Sequence, residues 1–178
     1  IFADARPPSE VVRPVASASV KGFKDLGGGR FRLTMEWETS GDPDARSRIF
    51  THFDHAGRDR ESIAFQGTLR PGAEKLLERG THTAICEAAI PGGQKLPATF
   101  LIRCGVYVPV VGGTRLKMAG ATDAGGRALC GKIVAARQPG SADVTLQWED
   151  EGDPWFNKRK ARLNHERKVV DFETVATS

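Results

Sequence analysis

Arg30-Phe31-Arg32-Leu33-Thr34-Met35-Glu36-Trp37-Glu38 is the stretch that decides the fold class. Phe31, Leu33, Met35 and Trp37 fall on one side of an extended backbone; Arg30, Arg32, Thr34, Glu36 and Glu38 fall on the other. Successive side chains of a strand point to opposite faces, so this strict alternation reads as a half-buried β-strand.

Working outward, Gly27-Gly28-Gly29 turns back to an earlier strand within Val15 to Phe23. On the other side, Ser40-Gly41-Asp42-Pro43-Asp44 is a turn into a strand from Arg48 to His55. That strand has two partly apolar faces and closes at Ala56-Gly57-Arg58-Asp59, and a short strand near Ser62 to Gln66 pairs with it. Pro71 to Arg79 reads as one or two helical turns, stopped by Gly80. Two more strands follow, one with His82, Ala84, Cys86, Ala88 and Ile90 on a face, the other with Phe100, Ile102, Cys104, Val106 and Val108. Pro91-Gly92-Gly93 starts their connection, so they are expected to form an antiparallel hairpin. A turn centred on residue 95 sets Cys86 opposite Cys104. The expectation there is proximity without a bond, because Cys130 lies out of phase with Leu129 and Ile133 and suggests no disulfide framework. Short strands around Arg115 to Met118, Ala128 to Arg137 and Val144 to Trp148 complete the series.

Eight or nine strands separated by Gly/Pro turns predict an all-β fold, a two-sheet antiparallel β-sandwich with at most one or two short helices. Its expected core holds Phe31, Leu33, Met35, Trp37, Phe100, Ile102, Val106, Leu146 and Trp148. Residues 1–14, with Pro7, Pro8 and Pro14, read as a linker; 15–149 as the sandwich domain; 150–178 as a basic tail or the start of a following domain.

The 178 residues, 39% hydrophobic and 27% charged, match one soluble globular domain. Twenty Gly and ten Pro suit many short strands better than long helices. The net charge of +4 comes from mixed charges, which argues against a nucleic-acid module. No apolar run approaches the ~20 residues of a spanning helix, and no secretory signal is visible. The three Cys form no CxxC, so zinc and redox spacings are absent. A chain that starts at Ile1 without a methionine and stops at Ser178 reads as a piece of a longer or processed protein.

Ile49-Phe50-Thr51-His52-Phe53-Asp54 with Gly57, Arg70-Pro71-Gly72, Ile90-Pro91, and Gly105-Val106-Tyr107 with Arg115-Leu116 carry a resemblance. Over residues 30–137 the chain resembles accessory β-sandwich domains, Ig-like or jelly-roll-like, of bacterial envelope and secreted proteins. Such domains stand beside membrane glycosyltransferase modules and in predicted glycosidases. The resemblance implies a noncatalytic sandwich near carbohydrate-processing machinery and assigns no site residue.

The residues themselves offer several chemistries. His52 and Asp54 share a strand face and could hold a metal with a third ligand, while His55 points away. The commoner reading is a hydrogen-bonded His and a turn-capping Asp. Asp42, Asp44, Asp54 and Asp59 could supply paired carboxylates, but they sit in or beside turns, where Asp caps backbone groups. Asp150-Glu151-Gly152-Asp153 is an acidic turn with incomplete calcium-loop spacing. Trp155, Phe156 and Tyr107 are the aromatics available to stack on a sugar; otherwise the first two pack the tail and Tyr107 is a lone surface aromatic. The basic run from Lys158 to Lys168 is most simply a solvated face. No GxSxG, HExxH, P-loop or dinucleotide fingerprint occurs, and no cofactor is implied.

The expectation is therefore a noncatalytic accessory or interaction module of a larger secreted or envelope protein, placed outside the cytoplasm. Its partners would be neighbouring domains, with no nucleic acid and no membrane span. A carbohydrate-binding module is the first alternative. A metal-dependent hydrolase built on His52 and Asp54 is the second.

Overall fold

The computed structural model describes residues 13–40, 43–58, 60–110 and 113–150. Nine strands and one helical turn follow in the order β1 (Ala16–Gly27), β2 (Arg30–Thr39), β3 (Arg48–His55), β4 (Ile63–Arg70), α1 (Ala73–Leu76), β5 (Gly80–Ala89), β6 (Ala98–Val108), β7 (Thr114–Leu116), β8 (Ala128–Arg137) and β9 (Val144–Glu149). The strands stand where alternation places them, and β2 buries Phe31, Leu33, Met35 and Trp37 completely.

Their assembly differs from the expected sandwich. All strands join one antiparallel sheet in the order β1-β2-β5-β4-β3-β6-β8-β9, with β7 added to β6. The joint is β4, which changes partner along its length. Thr51, His52, Phe53 and Asp54 of β3 pair with Gly67, Gln66, Phe65 and Ile63, whereas Thr68, Leu69 and Arg70 pair with Glu87, Cys86 and Ile85 of β5. Two sheets that would face each other are thereby hydrogen-bonded into a continuous wall. The wall curls until its ends meet: Cys130 Sγ of β8 lies 3.6 Å from the Ala18 carbonyl of β1, and Leu146 N of β9 donates to Asp25 Oδ2 at 3.1 Å. The result is a single, nearly closed barrel and not an Ig-like or jelly-roll-like sandwich, which corrects both the fold class and the resemblance.

The expected β5–β6 hairpin does not form either. β5 lies between β2 and β4, and β6 between β3 and β8. Gly67, at the β4 partner switch, leaves the room that Cys86 and Phe53 occupy. A Cβ there would sit 2.5 Å from Cys86 Sγ and 3.1 Å from the Phe53 ring. At the barrel end beside β2 and β5, α1 inserts buried Leu76 and Leu77, and Thr39 Oγ1 donates to the Leu76 carbonyl at 2.9 Å.

Side chains fill the interior. Phe53 and Phe65 stack at 4.7 Å between centroids, with Phe31 and Phe100 edge-on to them. β8 reaches the interior with two phases, because one extra residue bulges between Leu129 and Lys132. Gly131, at φ +109°, absorbs the bulge, so Ala128 and Cys130 before it and Ile133 and Ala135 after it all point inward. Gly67→Ala is expected to lower stability by about 1–3 kcal/mol, the usual cost of overpacking a tight core. Denaturant unfolding checks this, and an unchanged midpoint would contradict the close approach at the partner switch.

Candidate functional site

β3 and β6 are antiparallel neighbours, with His52 opposite Arg103 and Phe50 opposite Gly105. Thr51 and Phe53 of β3 and Ile102 and Cys104 of β6 point into the barrel. Phe50, His52, Asp54 and Arg103 therefore point outward, yet His52, Asp54 and Arg103 are buried. The cover is the chain between β7 and β8, which crosses this outer face and delivers Asp123 and Arg127. A turn within it is fixed locally: Arg127 N donates to Asp123 Oδ1 at 2.8 Å, and Gly126 takes a positive φ of +78°.

Arg127 is the centre. It is fully buried, and its guanidinium grips Asp54 with two parallel bonds, Nη1 to Oδ1 at 2.9 Å and Nη2 to Oδ2 at 2.6 Å. Its Nε donates to Asp123 Oδ2 at 2.9 Å, and Glu61 Oε1 lies 3.0 Å from the same nitrogen. Arg103 also reaches Asp123, and Arg115 reaches Glu61 and the Gly125 carbonyl. Three guanidiniums (Arg103, Arg115, Arg127) thus face three carboxylates (Asp54, Asp123, Glu61).

His52 completes the cluster. Arg127 Nη1 is 3.2 Å from Nδ1, and a guanidinium can only donate, so Nδ1 accepts and the ring hydrogen is on Nε2. Phe50 stacks on the imidazole at 4.2 Å, and the Arg115 guanidinium lies 5.3 Å from the Phe50 centroid. Phe50 is held there because Gly105 beneath it has no side chain; a Cβ would overlap the ring. Burial first, then the charges of Arg127 and Arg115, push the His52 pKa down to about 4 against the opposing pull of Asp54 and Glu61. Burial works against the charge of Asp123. The hydrogen bond and charge of Arg127, with those of Arg103, outweigh it and hold that carboxyl below its ordinary value. Burial likewise disfavours the Arg127 cation, and Asp54, Asp123 and Glu61 more than offset it.

The structure thus brings His52 and Asp54 together, as the sequence proposes, but around a guanidinium. Both sets of lone pairs are already engaged by Arg127. No group of three or more His, Cys, Asp or Glu suited to a metal occurs among the described residues. Asp44 is exposed and caps its own turn, accepting from Arg46 N at 2.8 Å; Asp42 and Asp59 lie outside the described residues. So do Trp155, Phe156, the acidic turn beyond Asp150 and the basic run. Tyr107 is half-buried beside Phe50, 6.1 Å between centroids, and does not stand alone. Nothing among the described residues supports the carbohydrate-binding expectation. No helix among them is long and apolar enough to cross a membrane.

Cys86, Cys104 and Cys130 are free and buried. The strand register argued for Cys86 and Cys104 fails, since Cys86 pairs with Leu33 and Leu69 and Cys104 with Thr51 and Ala128. The thiols approach through the barrel interior instead. Thr51 Oγ1 is 3.6 Å from Cys104 Sγ and also bonds the Cys86 thiol, and Cys104 contacts Cys130. Burial pushes the Cys86 thiol up to about 12, and the Cys130 contact with burial raises Cys104 well above the ordinary range. Such thiols are inert.

Comparison with known proteins finds no matching family model, no matching curated protein and no matching solved structure. The site's chemistry rests on its own geometry.

Two outcomes follow from the geometry. Unfolded His52 takes up a proton near its ordinary value of 6.5, whereas folded His52 waits until about 4. Below pH 6.5 the unfolded state then binds more protons, so stability present above that value is lost as the pH falls toward 4. The expected loss is up to about 3 kcal/mol, with Asp123 adding to it at more acid pH. Urea unfolding across this range checks it: His52→Gln should flatten the profile, and an unaltered slope would contradict the assignment. Thiol titration should find three reactive groups in denatured, unreduced protein and none in native protein. Rapid labelling of the native protein would contradict the closed interior.

Proposed function

We propose that this barrel is a noncatalytic accessory or interaction module of a larger secreted or envelope protein, acting through its outer surface. The supporting observation is the engagement of its most reactive-looking groups: His52, Asp54, Asp123 and Arg127 bond one another. A general base is expected to be poised near neutral pH. His52, with its pKa lowered to about 4 and Nδ1 occupied, is a weak one. The interior is packed with aromatic and aliphatic side chains, which leaves the outside for recognition.

Cross-linking of the intact parent protein, read by mass spectrometry, tests this. The module reading expects links from neighbouring domains to the barrel's exposed residues, and His52→Gln to spare the parent's activity once folded protein is normalised. Stoichiometric zinc binding with hydrolytic activity, both lost in His52→Gln that still folds, would contradict it.

A further inference from the structure

The strap that crosses β3 and β6 is anchored differently from the rest of the fold. Ala119-Gly120-Ala121-Thr122-Asp123-Ala124-Gly125-Gly126 carries no large apolar side chain to hold it on the wall. Its backbone bonds are turned mostly on itself. Asp123 N donates to the Arg127 carbonyl at 2.9 Å, Gly126 N to the Asp123 carbonyl at 3.0 Å, and Leu129 N to the Ala121 carbonyl at 3.0 Å. What fastens it to β3 and β6 is charge: Arg127 on Asp54, and Asp123 on Arg103. The barrel interior is held together separately, by the aromatics around Phe53. Gly120 at φ +84° and Gly126 at φ +78° bracket the strap with residues that take large backbone changes at little cost.

His52 stands where this fastening fails in acid. Its Nδ1 accepts from Arg127 Nη1 at 3.2 Å. A protonated imidazole carries N–H on both nitrogens and accepts nothing. The ring would then face Arg127 cation to cation and donor to donor. The other charges around it are Asp54 on β3, Arg103 on β6, Arg115 on β7, Glu61 before β4, and Asp123 on the strap. Gln66 of β4, opposite His52 in the sheet, is uncharged. Asp54 keeps cations beside it when Arg127 leaves, because Arg103 Nε lies 4.0 Å from Oδ2 and the imidazolium is on the same strand face. The wall beneath the strap therefore stays charge-compensated.

We propose that the strap 119–127 is an acid-released clasp: protonation of His52 expels Arg127, and the strap lifts from the outer face of β3 and β6 while the barrel stays folded. Strapped down, His52 titrates at about 4; uncovered, it returns toward its ordinary 6.5. Closure is thus fully favoured above 6.5 and weakens as the pH falls toward 4. Asp123, held below its ordinary 3.8, adds to the release only in stronger acid.

Native-state amide hydrogen exchange on the full 178-residue chain tests this, in the absence and presence of low urea and with rates corrected for the intrinsic effect of pH. The strap is read at the amides of Asp123, Gly126 and Leu129, and the barrel at Leu33 and Met35 of β2. The strap amides should lose about twentyfold in protection between pH 7 and pH 5. They should respond little to urea, because a local opening exposes little surface. The β2 amides should stay more protected and respond to urea, since they exchange through global unfolding. In His52→Gln the side-chain oxygen still accepts from Arg127 but takes up no proton, so the strap should hold equally at both pH values. Four results would overturn the proposal: strap amides already unprotected at pH 7, strap amides that share the protection and urea slope of β2, strap protection that does not change with pH, or an equal acid loss in His52→Gln. The first three are read on the natural chain and decide the matter whether or not the variant folds.

Discussion

The bidentate contact between the Arg127 guanidinium and the Asp54 carboxylate is the constraint on which the outer half of this structure depends. Both groups are removed from water, Arg127 entirely and Asp54 to 2% exposure. Burying two charges costs several kcal/mol per ion unless the geometry is good and the remaining donors and acceptors are satisfied. Here the remaining groups are satisfied by Asp123, Glu61 and His52. That requirement explains why the chain between β7 and β8 crosses the outer face of β3 and β6. It also fixes the position of the crossing, since a guanidinium displaced by one residue would take from buried Asp54 its bidentate partner.

The barrel therefore carries two packed layers on one part of its wall. Inside are the aromatics around Phe53; outside are the ion cluster and Phe50 over Gly105. β3 is the shared strand, with Thr51 and Phe53 facing inward and His52 and Asp54 outward, all four buried. This is the physical reason its sequence shows apolar character on both faces. An ordinary barrel strand would alternate between core and solvent, as β2 does along Phe31 to Trp37.

Single strands were legible because alternation is a local property. β2, β5 and β6 lie where their apolar phases put them, and Pro71 to Gly80 does bracket a helical turn. Partnership was not legible, because alternation names a face and not a neighbour. β4 changes partner between Gly67 and Thr68 with no interruption of the strand, and that one switch separates a barrel from a sandwich. The β8 bulge at Gly131 shifts phase midway, so Cys130 and Ile133, out of phase in the sequence, are both buried. His52 and Asp54 were found by their shared face, but Arg127 was not. An arginine after Gly125-Gly126 reads as a solvated turn residue. The available signal was Asp123 four residues before it, an acid placed to fix the turn that turns Arg127 inward.

A double-mutant cycle between Arg127 and Asp54, with unfolding free energies measured at neutral pH, addresses the central claim most directly. Arg127→Met takes from buried Asp54 its bidentate partner and should destabilise by about 3–5 kcal/mol; Asp54→Leu leaves the Arg127 cation with Asp123 and Glu61 and should destabilise by less. The double variant should lose far less than their sum, because neither charge remains. A loss below about 1 kcal/mol in Arg127→Met, or strictly additive losses, would mean that Arg127 and Asp54 do not hold each other in a dry site, and would contradict the account.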